Sequence, residues 1–332
     1  MNIIVFGSIV YDRIMNFPGL FKDHILPDQI HNLSVSFVVN EFKETFGGAG
    51  ANIAYNLSLL NEKPILCSSV GKDFQKYQEH FKKINTSGVK VYANDYTASA
   101  YIMTDKNDNQ ITGFFPGAMR YKSKPVKITK SDLVIIAPAN PNEMLDWVDK
   151  CTKTKTPFIF DPGQAIIQFT KNQLRKALKL ATIYIVNDYE LSLTKKITGY
   201  SFEMIKKEAG ILITTLGGNG SRIEIMHNKE LGKFRIPPAK VASVKDPTGA
   251  GDAYRAGLIK GLVDEHKDFL NKNYLNMNWR RFGKLASLTS AYAVENYGTQ
   301  NHYYNFNQFK KRYTLTYQTK HESTRAWKQI IK

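Results

Sequence analysis

The chain has 332 residues, a length that accommodates one large α/β domain or two domains of ordinary size. Hydrophobic residues make up 42% of the sequence and no apolar run is long enough to cross a bilayer, so we expect a globular protein with no membrane partner. The two cysteines, Cys67 and Cys151, share no spacing motif; nothing requires a disulfide, and we expect a cytoplasmic location.

The net charge of +17 allows two interpretations. A basic face would attract the phosphate backbone of nucleic acid, whereas lysines spread over solvated helix faces would only favour small anionic substrates. No basic strand is interleaved with aromatic residues, and the lysines are scattered, as shown by Lys171, Lys176, Lys179, Lys195, Lys196, Lys206 and Lys207. We therefore predict a solvated basic surface and no nucleic-acid partner.

The first predicted element is a buried parallel strand. Asn2–Gly7 is a short apolar run that ends in glycine. Asp12 follows just beyond this strand, at the edge of the sheet where open α/β folds bind ligands. We interpret Asp12 as a candidate ligand-binding residue; the alternative is a carboxylate that caps a turn.

Two segments do not follow the strand–helix alternation of an α/β protein. Within residues 13–46, the stretches Val35–Val39 and Glu41–Phe46 alternate as strands. Further on, Tyr101–Thr104 and Gln110–Phe115 form another predicted strand pair around a polar turn. These segments therefore predict strands outside the main alternation.

A glycine-rich helix start lies between them at Gly47–Asn52, GGAGAN, and the predicted helix runs to about Leu60. Gly48 and its neighbouring glycines let a ligand approach the backbone closely. The Asn52 amide, in the first helical turn, can both donate and accept hydrogen bonds. On its own the motif is weak evidence, because glycine-rich helix starts are common.

The middle of the chain alternates apolar strands with helices. The predicted strands are Leu133–Ala137, Pro157–Asp161, Ile183–Asn187 and Ile211–Thr215. The predicted helices lie near Asn142–Cys151, Lys171–Leu180 and Phe202–Glu208. Such an alternation indicates a parallel sheet that is covered on both faces.

Thr215–Ser221, TLGGNGS, is a glycine-rich turn that leads into the predicted hairpin Arg222–Met226 and Glu230–Ile236. It is not a P-loop, because no GKS or GKT follows a strand in this chain. The absence of G-x-G-x-x-G after the first strand argues against a dinucleotide-dependent enzyme. A further helix is predicted at Phe282–Val294.

The most informative stretch is Asp246–Gly257, DPTGAGDAYRAG, a glycine-rich turn that runs into a helix from Ala250 to about Asp264. Backbone N–H groups at such a helix start favour an anion, above all a phosphate. Asp252 would face this anion, which is unfavourable unless the carboxylate accepts a proton from an attacking hydroxyl. The stretch therefore predicts phosphoryl transfer with Asp252 as general base. The anion hole would be formed by Gly249, Ala250 and Gly251.

DPTGAGD and GGAGAN, about two hundred residues apart, resemble the two signature motifs of the ribokinase-like (PfkB) family of sugar and nucleoside kinases. The resemblance covers about Asn2–Phe309 and implies one three-layer α/β domain, residues 1–315, with a mostly parallel central sheet. It also implies a small discontinuous β-sheet lid from about 13–46 and 97–118, whose exposed edges would allow a homodimer. Residues 316–332 would be a basic tail.

The resemblance also implies which residues bind the phosphoryl acceptor. Asp12, Gly48 and Asn52 would hold the hydroxyls of a sugar or ribose. Asn109–Met119, NQITGFFPGAM, is similar to a segment beside the base in the nucleoside-preferring bacterial and archaeal branch, which implicates Gln110, Phe114 and Met119. DPGQ, at Asp161–Gln164, is also similar to that branch, but it leaves the role of Asp161 open.

ATP and cations are further implications of the resemblance. The residues that would border ATP are Asn187, Thr215, Gly217, Gly220 and Asn296. Asn187 and Glu190, in NDYE, would act on Mg²⁺ through water, although the same pattern equally describes a helix N-cap with a glutamate in the first turn. Asp246 and Thr248 are candidates for holding a monovalent cation such as K⁺.

The combined expectation is an ATP-dependent nucleoside kinase that phosphorylates a 5′-hydroxyl, with adenosine as the first candidate, in purine salvage. The alternative is a ribokinase- or fructokinase-like sugar kinase with the same catalytic residues. A nucleic-acid-binding or regulatory protein without catalysis is the remaining alternative, and it would leave both glycine-rich motifs unexplained.

Overall fold

The fold is described by a computed structural model for residues 1–32, 34–227 and 230–317. The strands are β1 (Ile3–Phe6), β2 (Val10–Asn16), β3 (Glu41–Gly47), β4 (Ile65–Gly71), β5 (Asn85–Tyr92), β6 (Ala98–Thr104), β7 (Gln110–Phe115), β8 (Leu133–Ile136), β9 (Phe158–Phe160), β10 (Ile183–Asn187), β11 (Ile211–Thr215), β12 (Ser221–His227) and β13 (Glu230–Ile236). The α-helices are α1 (Ala49–Leu59), α2 (Gln75–His80), α3 (Pro141–Thr154), α4 (Lys171–Leu180), α5 (Asp188–Thr198), α6 (Phe202–Ala209), α7 (Ala250–Asp264), α8 (His266–Leu270), α9 (Trp279–Val294) and α10 (Phe306–Tyr317).

The larger sheet has, within the described residues, nine strands in the order β13-β12-β11-β10-β9-β8-β1-β4-β5. β12 and β13 run antiparallel to their neighbours, and the remaining pairs are parallel. Alternate residues of β1 face opposite sides: Ile3 and Val5 join the core that includes α1, α7 and α9, whereas Ile4 and Phe6 join the core that includes α3 and α4. Helices thus cover both faces, which confirms the predicted three-layer α/β fold.

A second sheet, here called the small sheet, contains four strands of the described chain in the order β3-β2-β6-β7. β2 and β6 pair in parallel, and the two outer pairs are antiparallel. These strands come from the segments that interrupt the strand–helix alternation, so the separate small sheet is confirmed. The predicted strand at Val35–Val39 is wrong: this segment is irregular and pairs with no strand of the small sheet.

Asp12 follows β1, as predicted, but it lies inside β2, a strand of the small sheet that was not predicted. The chain leaves the central sheet at Phe6 and enters the small sheet at Val10, so Asp12 belongs to the small sheet. β4 and β5, which extend the parallel sheet beyond β1, are also absent from the predicted strands. Both differences place more of the N-terminal third in regular structure than the sequence analysis predicts.

The C-terminal boundary remains a prediction. α10 ends at Tyr317 and therefore crosses the proposed boundary at residue 315. Residues 318–332, most of the predicted basic tail, lie outside the described residues. Of the helices in the described part of the chain, none is both long enough and apolar enough to cross a membrane.

Two glycines allow close backbone contacts, one in the first turn of α1 and one in the middle of α7. A Cβ built on Gly50, in the first turn of α1, would lie 2.6 Å from the carbonyl carbon of Gly7, which follows β1. A Cβ built on Gly257, in α7, would lie 2.5 Å from the Cα of Ala286 in α9. Only glycine permits such approaches. The first turns of the two helices meet where the Asn52 side chain of α1 donates to the Asp252 carboxylate of α7 at 2.8 Å.

Candidate active site

A cavity of about 450 Å³ lies between the small sheet and the edge of the central sheet. We call it the Asp12 cavity; its lining includes the predicted residues Asp12, Gly48, Asn52, Phe114, Met119, Thr248, Gly249 and Asp252. Gln110, also predicted to bind the acceptor, is not part of this lining and is exposed at the start of β7 opposite Thr104. The structure thus brings together all but one of the residues predicted around the acceptor.

A second cavity of about 480 Å³, the Thr215 cavity, lies on the other side of the glycine-rich turn. Its lining includes the predicted residues Thr215, Gly217, Gly220, Ala250 and Gly251, together with the apolar side chains of Pro238, Val241, Val244, Ala291 and Val294. Asn296 is not part of the lining, and its amide donates to the Tyr292 carbonyl at 3.1 Å. Gly249 and Asp252 therefore border one cavity, and the adjacent Ala250 and Gly251 border the other.

The turn between the cavities has the backbone geometry of an anion site. Gly249 has a φ of +78° and precedes the first residue of α7, a conformation that side chains other than glycine rarely adopt. The Ala250 amide is already used, since it donates to the Pro247 carbonyl at 3.2 Å. Among the hydrogen bonds of the described residues, none uses the amides of Gly249 or Gly251. These two N–H groups are thus the donors available to an anion at the start of α7.

Asp252 is held by a hydrogen-bond network that starts on α1. Asn52 Nδ2 donates to Asp252 Oδ2 at 2.8 Å. Asn52 Oδ1 accepts from Thr299 Oγ1 and from Gln300 Nε2, each at 2.8 Å. Gln300 Nε2 also donates to Tyr77 Oη at 2.9 Å. The Asn52 amide therefore orients the Asp252 carboxylate, a task that its predicted ribose-binding role did not include.

Both carboxylates of the Asp12 cavity have raised pKa values. Burial raises the pKa of Asp252 to about 7, against the opposing effects of the Arg255 charge and the Asn52 hydrogen bond. Burial, with a smaller contribution from the negative charge of Asp246, raises the pKa of Asp12 to about 6. A carboxylate with a pKa near neutrality is a much better proton acceptor than an ordinary aspartate, which suits Asp252 to general base chemistry.

The residues predicted to act on cations already have partners within the protein. Asn187 and Glu190 form a reciprocal capping box on α5: Glu190 N donates to Asn187 Oδ1 at 2.7 Å, and Asn187 N donates to Glu190 Oε2 at 2.8 Å. Asp246 accepts from the amides of Thr248 and Gly298, each at 2.9 Å. No group of three or more His, Cys, Asp or Glu side chains in the described residues is arranged to hold a metal ion.

Two features of the site were missed in the sequence. Gln164 and Gln168, on the short 3₁₀ segment Gly163–Gln168, line the Asp12 cavity. Asp161, whose role the sequence left open, pairs with Arg255 through a 2.6 Å bond from Nη2 to Oδ1. DPGQ was a signal for the first of these, but no local pattern connects Asp161 to an arginine 94 residues further along the chain.

The comparisons with known proteins agree with this geometry. Residues 2–304 match the pfkB family of carbohydrate kinases. The nucleoside kinase of Methanocaldococcus jannaschii is 30% identical over 291 residues, which are 83% of this chain and 90% of that protein. The structure of Burkholderia thailandensis nucleoside kinase in complex with inosine has a TM-score of 0.79 and 33% identity, covering 95% of this chain and 98% of that one.

The same Burkholderia enzyme in complex with ADP-inosine gives a TM-score of 0.76 at 34% identity, with 95% of this chain and 96% of that chain covered. The family match includes both glycine-rich turns, and the structure brings these turns together around Asn52 and Asp252. The chain therefore belongs to the pfkB family of carbohydrate kinases and is a phosphotransferase that acts on a hydroxyl acceptor.

Proposed function

We propose that the protein transfers the γ-phosphoryl group of ATP to the 5′-hydroxyl of a purine nucleoside, with adenosine and inosine as the first candidates. The observation that carries this proposal is the meeting of two ligand-sized cavities at one glycine-rich turn, with Asp252 in the lining of the first cavity. The similar Burkholderia enzyme forms complexes with inosine and with ADP-inosine, which supports a nucleoside and a nucleotide as the two ligands. We assign the nucleoside to the Asp12 cavity and ATP to the Thr215 cavity.

The acceptor assignment follows from the chemistry of the Asp12 cavity. Asp12 presents a carboxylate that suits two adjacent ribose hydroxyls, and Phe114 and Met119 supply apolar surface for a flat base. Gln164 and Gln168 add carboxamides, which both donate and accept hydrogen bonds. Rotation of such an amide accommodates a 6-amino or a 6-oxo purine edge, so we expect a broad purine range.

In the proposed reaction, the 5′-hydroxyl proton moves to the Asp252 carboxylate as the hydroxyl oxygen bonds to the γ-phosphorus. The bond from that phosphorus to the β–γ bridging oxygen breaks, and the electron pair leaves with ADP. The amides of Gly249 and Gly251 stabilise the transferred group, and Asn52 keeps the Asp252 carboxylate directed at the acceptor. Hydrophobic residues around the Thr215 cavity, such as Val241 and Val244, bind the adenine face.

Magnesium would neutralise charge on the ATP phosphates. Because the capping bonds leave Glu190 one carboxylate oxygen and Asn187 Oδ1 one lone pair, these residues suit contact with a hydrated ion. Asp246 and Thr248, whose backbone and side chains form the entry to the glycine-rich turn, remain our candidates for a K⁺ site. We place the reaction in purine salvage in the cytoplasm. The exposed strand β7 is our candidate for a homodimer contact.

The test is a comparison of kcat/KM for adenosine, inosine, guanosine, cytidine, ribose and fructose with ATP as donor. We expect purine nucleosides to be far better acceptors than free sugars, because contacts to the base help to orient the 5′-hydroxyl. If ribose or fructose has a kcat/KM as high as that of every nucleoside, the result favours a sugar kinase instead.

Glutamine variants provide a matched control for the base contacts. Gln164→Ala and Gln168→Ala should lower kcat/KM for nucleosides and change the ranking of bases, because both side chains line the Asp12 cavity. Gln110→Ala should leave the ranking unchanged, because Gln110 lies on exposed β7 outside that lining. If all three variants behave alike, the placement of the base beside Gly163–Gln168 is wrong.

A further inference from the structure

A buried arginine lies one helical turn after Asp252. Arg255 is only 5% exposed. A positive charge in the first turns of a helix opposes the helix dipole, and its burial is costly unless it is fully paired. Arg255 lines neither cavity, so direct contact with a ligand does not explain why it is buried here.

Asp161 fixes the position of the guanidinium group. It follows β9, is 1% exposed, and accepts from Arg255 Nη2 at 2.6 Å on Oδ1, while its Oδ2 pairs with Arg255 Nε. The third nitrogen lies beside the phosphate-binding turn, because a Cβ built on Gly251 would come within 2.8 Å of Nη1. A two-point anchor on one side thus holds a positive charge directly under the anion hole.

The surrounding charges make this cation important for Asp252. Asp161 and Glu190, which approach from β9 and α5, both raise the pKa of Asp252, whereas Arg255 lowers it. Without Arg255, three carboxylates would share a poorly solvated region with the phosphates of ATP. Because buried ion pairs can often be replaced by apolar residues without loss of stability, stability alone does not account for the pair.

We propose that Asp161 and Arg255 are positioning residues for phosphoryl transfer: Asp161 holds the guanidinium where its charge faces both Asp252 and the phosphoryl group bound at Gly251. The inference rests on the proposed kinase function and adds a pair that contacts neither substrate. The guanidinium favours the ionised form of Asp252, which accepts the hydroxyl proton, and offsets the negative charge of the phosphoryl oxygens. Bond making and bond breaking are those of the transfer described above.

The test compares the pH profile of kcat in the full-length wild type, Arg255→Met, Arg255→Lys and Asp161→Asn. Arg255→Met should move the acidic midpoint to higher pH by about one unit and lower the plateau rate. Asp161→Asn should move the midpoint to lower pH, because a negative charge is lost, and should also lower the plateau because the guanidinium loses its anchor. Arg255→Lys should keep the wild-type midpoint, since it retains the charge, but lose part of the plateau rate.

Two midpoint shifts in opposite directions would distinguish the proposal from a general loss of packing. Equal losses of kcat with an unchanged midpoint in Arg255→Met and Asp161→Asn would overturn it. If the single variants fail to fold, the double variant Asp161→Asn/Arg255→Met decides, because it buries no unpaired charge. A folded double variant with the wild-type plateau rate overturns the proposal, and a lowered plateau supports it.

The wild type is assayed first, so that the two proposals can fail separately. Absence of turnover with every nucleoside would contradict the proposed function. The ion pair is then tested without turnover by following the titration of the Asp252 carboxyl with ¹³C NMR. An unchanged Asp252 midpoint in Arg255→Met would overturn the positioning role, and a rise would support it.

Discussion

At the scale of single residues, the site contains two carboxylates, Asp252 and Asp12, whose pKa values are influenced by different neighbouring charges. Asp252 is stabilised in its ionised form by Asn52 and Arg255, yet burial still raises its pKa to about 7. Burial and the negative charge of Asp246 raise the pKa of Asp12 to about 6. The two groups therefore titrate in neighbouring pH ranges, which allows their roles to be separated by experiment.

We predict that kcat rises with pH through about 7, because Asp252 acts in its ionised form and its raised pKa delays ionisation. The KM for the nucleoside should increase below about pH 6, where Asp12 becomes protonated and loses one hydroxyl acceptor. Both are measured from initial rates across pH. Asp12→Asn should remove the inflection in KM and retain the one in kcat; a kcat that does not change across this range would contradict the base role of Asp252.

Replacement of Asp252 by Asn should reduce kcat by on the order of 10²–10⁴-fold, because the amide cannot accept the hydroxyl proton. Nucleoside affinity should be nearly unchanged, since the substitution preserves size and leaves Asp12 in place. Measured kcat and nucleoside Kd values decide between this outcome and a mechanism that depends on positioning alone, for which near-wild-type kcat is expected.

At the scale of elements, the sequence was most informative where local chemistry determines structure. α7 begins at Ala250 and ends at Asp264 as predicted, because the glycine-rich turn before it is unmistakable. β4 and β5 could not be predicted, because Ile65–Gly71 contains serines on a buried strand and Asn85–Tyr92 is largely polar. The strand β2, which carries Asp12, was missed because its ladder partners, β3 and β6, lie further along the chain.

The close approach of α1 to β1 predicts the effect of a single methyl group. Gly50→Ala should destabilise the protein by about 1–3 kcal/mol, because the new Cβ would lie 2.6 Å from the Gly7 backbone, which cannot move aside. Gly113→Ala is the matched control, since a Cβ there meets nothing within 4 Å. Chemical denaturation measures both, and equal stabilities would show that α1 tolerates displacement from β1.

At the scale of the whole molecule, the buried Asp252 carboxylate lowers the free energy of unfolding when it is ionised. A carboxyl whose folded pKa lies above its unfolded value leaves stability intact at acid pH, and stability decreases as pH rises through the folded value. For Asp252 the decrease occurs between about pH 4 and the folded pKa of about 7.

Asp252→Asn should therefore raise the Tm at about pH 8 and leave it unchanged at about pH 4, where the wild-type carboxyl is already neutral. Thermal unfolding at the two pH values measures this difference. An equal change in Tm at both pH values would show that the substitution acts through packing and not through charge.

The hydrogen bond between Asn52 and Asp252 joins residues 200 positions apart, and that between Thr299 and Asn52 joins residues 247 apart. Contacts of such sequence separation form slowly, because long loops must close before they contribute. A chain that emerges from the ribosome N-terminus first has Asp12 and Asn52 early, but lacks Asp252, the glycine-rich turn before it and Thr299 until late in synthesis. Unfinished or C-terminally truncated chains therefore cannot consume ATP, and recovery of activity after denaturation reports the completion of folding.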